Sequence, residues 1–465
     1  MRLLPHVASR PPDGIVLRDA PRTATVQQED DSVASTPDAS VTRATRRRLA
    51  RALRWRVTRA RAALALKLAP DSLPPQIAAA RIPVDAEVVG YFADGPDRLY
   101  QLDQWLPVLE ELAEQHRVVV VLRDIKALKL VQDRTSLPIV CVTAFLDLMN
   151  LYDLSDFKVG IYVNNGQRNF QSLNNPRMLH VHVNHGESDK LSSFSNQVKA
   201  YDRVFVAGQV AVDRYREALI AFDERKVVMV GRPQLDLAYA PEVPTSSRRT
   251  VMYAPTWEGE SESNNWTSLD RFGVGIVQQA LALPDVRLIY RPHPRVVGSR
   301  HPGVAKAHRK IVSLVEAAAA RDNGSGHQVR LDGNILAMFG RVDALVGDVS
   351  SVTLDYLYLR PDGPIFLTDR RDDRALLESD SPLTAGADIV DSSTIGAFGD
   401  TLAARLADDT RIEDRRKTRA HYFGDLQPGD SSKRFREAVA DLLAERDALL
   451  VGHRRVTTGD IDEHD

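Results

Sequence analysis

Thirteen short apolar runs, most of them rich in Val and Ile, alternate with amphipathic stretches along most of this chain. Seven come first: VVGYF (88–92), RVVVVL (117–122), LPIVCV (137–142), KVGIYV (158–163), MLHVHV (178–183), DRVFVA (202–207) and KVVMVG (226–231). After a polar stretch, Ala238 to Arg249, which holds Pro241, Pro244 and two serines, six more follow. These are TVMYAP (250–255), VRLIYR (286–291), QVRLDG (328–333), DALVGD (343–348), PIFLTD (364–369) and ADIVD (387–391). Short buried strands alternating with helices predict parallel sheets covered on both faces. The class is therefore α/β, with two doubly wound Rossmann-like domains, 82–237 and 250–428, joined by a 238–249 linker. Facing sheets of this kind hold a ligand cleft between their carboxyl ends. Helices over roughly 394–407, 412–423 and 432–449 close the chain, the last within a C-terminal segment, 429–465, that returns to the first half and frays after 451.

Composition excludes several classes. With 43% hydrophobic and 27% charged residues and a net charge of −2, bulk charge names no partner. Cys141 is the single cysteine and sits in the apolar run LPIVCVTAFL. That rules out a disulfide framework and a Cys-based zinc site, fits a reducing compartment, and reads as inert packing. No run approaches twenty apolar residues, and no apolar stretch with a small-residue cleavage site opens the chain, so neither a spanning helix nor secretion is expected.

The N-terminus is different. Residues 1–40 are polar and aperiodic and read as a disordered tail. In the 41–81 segment, Leu49, Leu53, Val57, Ala60, Leu64 and Leu68 recur at helical spacing, while Arg47, Arg48, Arg51, Arg54 and Trp55 stand among further arginines. No acid interrupts between Asp38 and Asp71. A basic amphipathic helix with a Trp is expected to lie on an anionic membrane surface. Nucleic acid is not expected, since no nucleic-acid motif follows.

Chemistry-bearing residues gather at strand-to-helix transitions. In DALVGDVSSVTLD (343–355) the strand ends at a Gly-Asp turn and a helix starts at Ser350 or Ser351, where free amides and the helix dipole suit a phosphate. Asp355 stands one turn further in. In HVNHGESDK (182–190), His185-Gly186 follows the strand, so this imidazole reaches the cleft edge and can accept a proton. His180 and His182, on the strand itself, read as structural, and the three histidines as no metal site. YAPTWEG (253–259) puts the Thr256 hydroxyl at a strand's carboxyl end. In YRPHPR (290–295), prolines fix His293, with Arg291 and Arg295 placed to meet phosphate. GDSSKRF (429–435) is another Gly-to-hydroxyl helix start.

In order and spacing, His185-Gly186 with Lys190, Tyr253-Ala-Pro-Thr-Trp257, Arg291-Pro-His293-Pro294, Asp348-Val-Ser-Ser-Val-Thr-Leu-Asp355 with Pro364-Ile365-Phe366, and Gly429 to Arg434 resemble the CDP-glycerol glycerophosphotransferase family. These are the teichoic-acid primases and polymerases of glycosyltransferase-B fold. The resemblance, over roughly 85–450, implies transfer of glycerol phosphate, or a related polyol phosphate, from a CDP-alcohol to a lipid-linked glycan or polyol-phosphate acceptor. It also implies a peripheral enzyme on the cytoplasmic face of a bacterial plasma membrane. After His-Gly this chain has Glu187-Ser188-Asp189-Lys190 where the family carries Thr-Pro-Leu-Lys.

Within that reaction His185 is the candidate base and His293 an acid or cationic donor to the leaving CMP. Thr256, Ser350 and Ser351 hold the diphosphate, Asp355 takes the ribose hydroxyls, and Arg291 adds positive charge. Gly186 and Lys190 lie on the acceptor side. Helix amides and cations make a metal cofactor unnecessary, and Mg²⁺ assistance stays open. Two alternatives remain: a glycosyltransferase or epimerase using a UDP-sugar on the same scaffold, and a non-catalytic membrane-associated binding protein.

Overall fold

The structure, a computed structural model, describes residues 81–190 and 194–459, with side chains given up to residue 451. The expected tail, the basic helix with Arg47, Arg48, Arg51, Arg54 and Trp55, and the last six residues lie outside the described residues.

Each of the thirteen runs contains a strand. The first lobe holds β1 (Val88–Phe92), β2 (Val118–Leu122), β3 (Ile139–Cys141), β4 (Val159–Tyr162), β5 (Leu179–His182), β6 (Arg203–Val206) and β7 (Val227–Met229). They form one parallel sheet in the order β3-β2-β1-β4-β5-β6-β7. The second lobe holds β8 (Arg249–Ala254), β9 (Val286–Tyr290), β10 (Gln328–Val329), β11 (Ala344–Gly347), β12 (Ile365–Thr368) and β13 (Asp388–Val390), parallel in the order β10-β9-β8-β11-β12-β13. Strand order reverses between β1 and β4 in one sheet and between β8 and β11 in the other. In open α/β sheets such reversals leave a crevice at the strands' carboxyl ends, because the flanking connections leave in opposite directions. The centre of each sheet is dry on both faces: every residue of β1, β2 and β9 is buried.

The amphipathic stretch 99–115 becomes two helices, Tyr100–Asp103 and Leu106–Ala113. Pro107 sits in the first turn of the second, where its missing N–H does no harm, and would break a continuous helix.

The final helix, Asp430–Gly459, does return to the first lobe. Phe435, Val439, Leu442 and Leu443 share one helical stripe and join the core of Trp105, Leu109 and Val120. Burying each such side chain is worth roughly 1.5–3 kcal/mol. The segment read as a linker packs on the second lobe: Val243 is buried in its core, and the Pro244 carbonyl accepts from Arg287 at 2.8 Å. Cys141 is buried on β3, and burial pushes its thiol up to about 11, which suits packing and not attack. Among the described residues no helix is long and apolar enough to cross a membrane.

Both sheets belong to the same compact unit of the chain. Apolar contact joins them, since Ala207, Val210 and Leu235 of the first lobe pack with Tyr422, Phe423 and Leu426. One buried ion pair and one buried carboxylate hydrogen-bonded by hydroxyls also cross the boundary. Arg232 grips Asp355 with Nη2 at 2.9 and 3.2 Å from its two oxygens. Asp189 pairs with Arg214 at 2.9 Å and accepts from the hydroxyls of Ser381 and Tyr422.

Candidate active site

A cavity of about 690 Å³ opens between the carboxyl ends of the two sheets. His185, Gly186, Lys190, Thr256, Arg291, His293, Ser350 and Ser351 all line it; Asp355 does not.

On the second-lobe wall, β11 ends at Gly347, and Asp348 turns back to tie three segments together. Its Oδ2 accepts from the Thr256 N–H at 2.7 Å, and its Oδ1 accepts from the Ser268 N–H at 3.2 Å and the Thr368 hydroxyl at 2.6 Å. Burial raises the Asp348 pKa against the lowering effect of those bonds. With Asp348 committed there, the helix Ser351–Leu359 starts uncapped: Ser350 occupies the N-cap with extended backbone and no side-chain capping bond. Its hydroxyl lies 3.3 Å from that of Thr353 instead. Ser350, Ser351 and Val352 therefore present a helix N-terminus to the cavity, where orphan amides and the positive end of the dipole stabilise an anion.

The first lobe meets that wall at close range. A Cβ placed on Gly186 would fall 2.6 Å from Ser351 Cβ, so only glycine lets the loop approach the helix start. Lys190 reaches across the boundary and donates from Nζ to Thr256 Oγ1 at 2.9 Å. Burial lowers this ammonium to about 8, opposed by Asp348. In the Glu187-Ser188-Asp189-Lys190 loop, Glu187 accepts from the Ala207 N–H at 3.2 Å and Asp189 makes the boundary contact described above, so both acids are structural.

The two histidines come from opposite lobes and flank one aromatic ring. The Tyr100 centroid lies 5.8 Å from that of His185 and 5.2 Å from that of His293, edge-on to both. His185 is half-buried, and its Nδ1 has no hydrogen-bond partner among the described residues. Burial, aided by Arg232, Lys190 and Arg98, lowers it to about 4, so it is neutral at physiological pH, with a free lone pair to accept a proton. His293 Nδ1 accepts from the Arg295 N–H at 3.2 Å, which puts its proton on Nε2. Burial holds it well below the usual imidazole range, with Lys190, His185 and Arg295 adding to the effect. In the unliganded protein His293 is thus a neutral donor, where the sequence suggested an acid or cation.

Two expectations need correction. Asp355 is buried one turn inside the helix, with both oxygens held by Arg232, so it has no edge to offer a ribose. Arg291 lines the cavity, but its terminal nitrogens donate to the carbonyls of Pro292, Leu331 and Gly333 at 3.1, 3.3 and 2.9 Å. It holds the 331–333 loop. Lys190, on a loop assigned from sequence to the acceptor, reaches Thr256 on the second-lobe wall. Gly429 starts the final helix away from the cavity, with the Ser432 N–H donating to Asp236 at 2.8 Å. His180 uses both ring nitrogens, on Tyr162 and Asn175, and His182 is fully buried against Tyr201, so both are structural. Among the described residues no group of three or more His, Cys, Asp or Glu could hold a metal ion.

The model of the CDP-glycerol:poly(glycerophosphate) glycerophosphotransferase family matches residues 175–441, more than half of the 465-residue chain. The chain belongs to that family. No curated protein matches this glycerophosphotransferase by sequence. Its fold is similar to that of the wall teichoic acid polymerase TagF, at 13% identity and a TM-score of 0.50, covering 88% of this chain and 99% of TagF. A TagF variant soaked with CDPG gives 0.52 at 13% identity, over 78% of this chain and 90% of that one. A protein from Listeria monocytogenes described as a UDP-N-acetylglucosamine 2-epimerase gives 0.51 at 12% identity, over 78% and 98%. The glycerophosphotransferase therefore has the two-lobed glycosyltransferase-B fold.

Sequence reading missed Tyr100, which lies in an amphipathic stretch between two strands, and Arg232. Arg232 carried a usable signal, because Gly231-Arg232-Pro233 directly follows β7 at its carboxyl end.

Proposed function

We propose that this glycerophosphotransferase moves glycerol phosphate from CDP-glycerol to a hydroxyl ending a lipid-linked polyol-phosphate chain, in assembly of a teichoic-acid-like wall polymer. One observation carries the reading: imidazoles from opposite lobes share the Tyr100 ring and open on the cavity that holds the uncapped Ser351 helix start. His185 takes the proton of the attacking hydroxyl, whose oxygen forms a new bond to the glycerol-bearing phosphorus. The bond from that phosphorus to the bridging oxygen breaks, and CMP leaves with the electron pair. His293 donates its Nε2 hydrogen to the developing charge, and the diphosphate itself raises the His293 pKa on binding. Lys190, Thr256 and the amides at Ser350 and Ser351 hold the diphosphate. The reading needs no resident metal ion, and a Mg²⁺ accompanying the diphosphate is compatible with it.

The test is a donor screen on the full chain with a membrane acceptor. CMP release from CDP-glycerol, without UDP release from UDP-N-acetylglucosamine, is the expected result; the reverse pattern identifies a sugar-nucleotide enzyme and overturns the proposal.

The same proposal puts the enzyme at the cytoplasmic membrane face, held by the basic segment. Deleting residues 41–68 is expected to abolish sedimentation with phosphatidylglycerol-containing liposomes while CDP-glycerol binding persists. Continued sedimentation would remove the anchor.

A further inference from the structure

Parallel open sheets bind ligands where strand order reverses, and this chain has two such places facing one cavity. The second-lobe reversal, between β8 and β11, carries Thr256, Ser350 and Ser351, the groups assigned to the donor diphosphate. The first-lobe reversal, between β1 and β4, has no role yet. It is lined by Tyr100, Gln101, Asp103 and Gln104 after β1 and by Asn164 and Asn165 after β4.

Its chemistry differs from that of the opposite wall. Asn164 donates from Nδ2 to Asp94 and to Gln101 Oε1, both at 2.8 Å, and Gln101 donates to the Tyr100 hydroxyl at 3.3 Å. That chain leaves the Tyr100 proton free to donate and fixes the wall's shape. The cations beside it are already paired, Arg134 with Asp103 Oδ2 at 2.6 Å and Arg98 with Glu260 at 3.2 Å. Within this wall Asp103 Oδ1, Gln104 Oε1 and Asn165 Oδ1 are buried and have no hydrogen-bond partner among the described residues. Buried acceptors without donors are unfavourable, and three facing one crevice suit a ligand that brings hydrogen to them. A phosphate brings none and is repelled by the Asp103 carboxylate. Hydroxyls on adjacent carbons bring several without charge.

Resting on the function proposed above, we infer that the first-lobe reversal is a hydroxyl-recognition site for the terminal polyol unit of the acceptor, with Gln104 and Asn165 determining specificity. The site presents the acceptor hydroxyl to His185, which lines the same cavity beside Tyr100.

The experiment compares the full-length enzyme with Gln104→Leu and Asn165→Leu. The probes are a short-chain lipid-linked glycerol phosphate and its analogue with the terminal secondary hydroxyl replaced by hydrogen. Each substitution is expected to raise the acceptor KM about tenfold, the worth of one good hydrogen bond. The donor KM stays within about twofold, and the wild type's preference for the hydroxylated probe disappears. The dissociation constant for CDP-glycerol, measured on the same preparations, reports the integrity of the fold, and Ala variants replace any Leu variant that fails this check. An unchanged acceptor KM, or donor and acceptor KM rising together, overturns the site. Absence of CMP release by the wild type defeats the functional reading instead. In that event, saturation-transfer NMR with the same two probes still decides the site, because equal binding of both probes by the wild type rejects it.

Discussion

His185→Ala is expected to lower kcat by about 10²- to 10⁴-fold, the usual worth of a positioned base, with little change in the KM for CDP-glycerol. In the proposed reaction the imidazole meets the incoming hydroxyl and not the diphosphate, so donor binding is expected to survive its removal. His293→Ala removes one hydrogen bond to the leaving group and is expected to lower kcat by about 10²- to 10³-fold. The pH dependence sharpens the test. Free His185 titrates at about 4 and Lys190 at about 8. The base must be neutral and the ammonium charged, so kcat/KM should rise with pH through the first value and fall through the second. Steady-state CMP release across pH 3–10 measures both limbs. Unchanged turnover in both Ala variants would show that neither ring moves a proton or stabilises charge.

Arg232→Met is expected to destabilise the fold by about 3–5 kcal/mol, because it leaves the Asp355 carboxyl buried without its partner. Both side chains are almost wholly inaccessible, at 5% and 3%, so solvent cannot make up the loss. The double variant Arg232→Met with Asp355→Leu removes both charges and is expected to regain most of the stability. Burial raises the Asp355 pKa, with Arg232 opposing it, and in Arg232→Met that opposition is gone. A carboxyl whose folded pKa is raised loses stability as pH climbs above the unfolded value of about 3.9. Relative to the double variant, which lacks this carboxyl, the single variant should therefore lose stability from about pH 4 upward. Urea unfolding at several pH values reads both trends. A single variant as stable as the parent would show that the pair contributes nothing.

What the chain disclosed in advance divides along physical lines. A short continuous run of apolar, β-branched residues is a local signal, so all thirteen strands could be read from runs such as VVGYF and RVVVVL, and the cleft followed from their alternation with helices. Gly347-Asp348 before Ser350-Ser351 was equally legible, because strand end, turn and helix start are adjacent in sequence. Partners far apart in sequence left no such trace. Asp355 looked like a free carboxylate beside a phosphate site, and only the fold brings Arg232 to it. Arg291 looked like a phosphate ligand for the same reason: its carbonyl partners at Leu331 and Gly333 lie forty residues on. Tyr100 was masked by its own neighbourhood, since one aromatic on an amphipathic stretch normally serves packing.

The buried contacts at the lobe boundary have a consequence for anyone rebuilding the enzyme. Any assembly that strands Arg232 or Asp355 inside the boundary without its partner, or denies buried Asp189 its Ser381 and Tyr422 hydroxyls, is penalised, so these residues act as keys that accept one docking of the halves. Hybrids that graft a foreign donor half onto this acceptor half will mate only if Asp355, Ser381 and Tyr422 travel with the graft. Exchange of the rim residues around Gln104 and Asn165 carries no such obligation, which makes the rim the place to test the proposed acceptor preference.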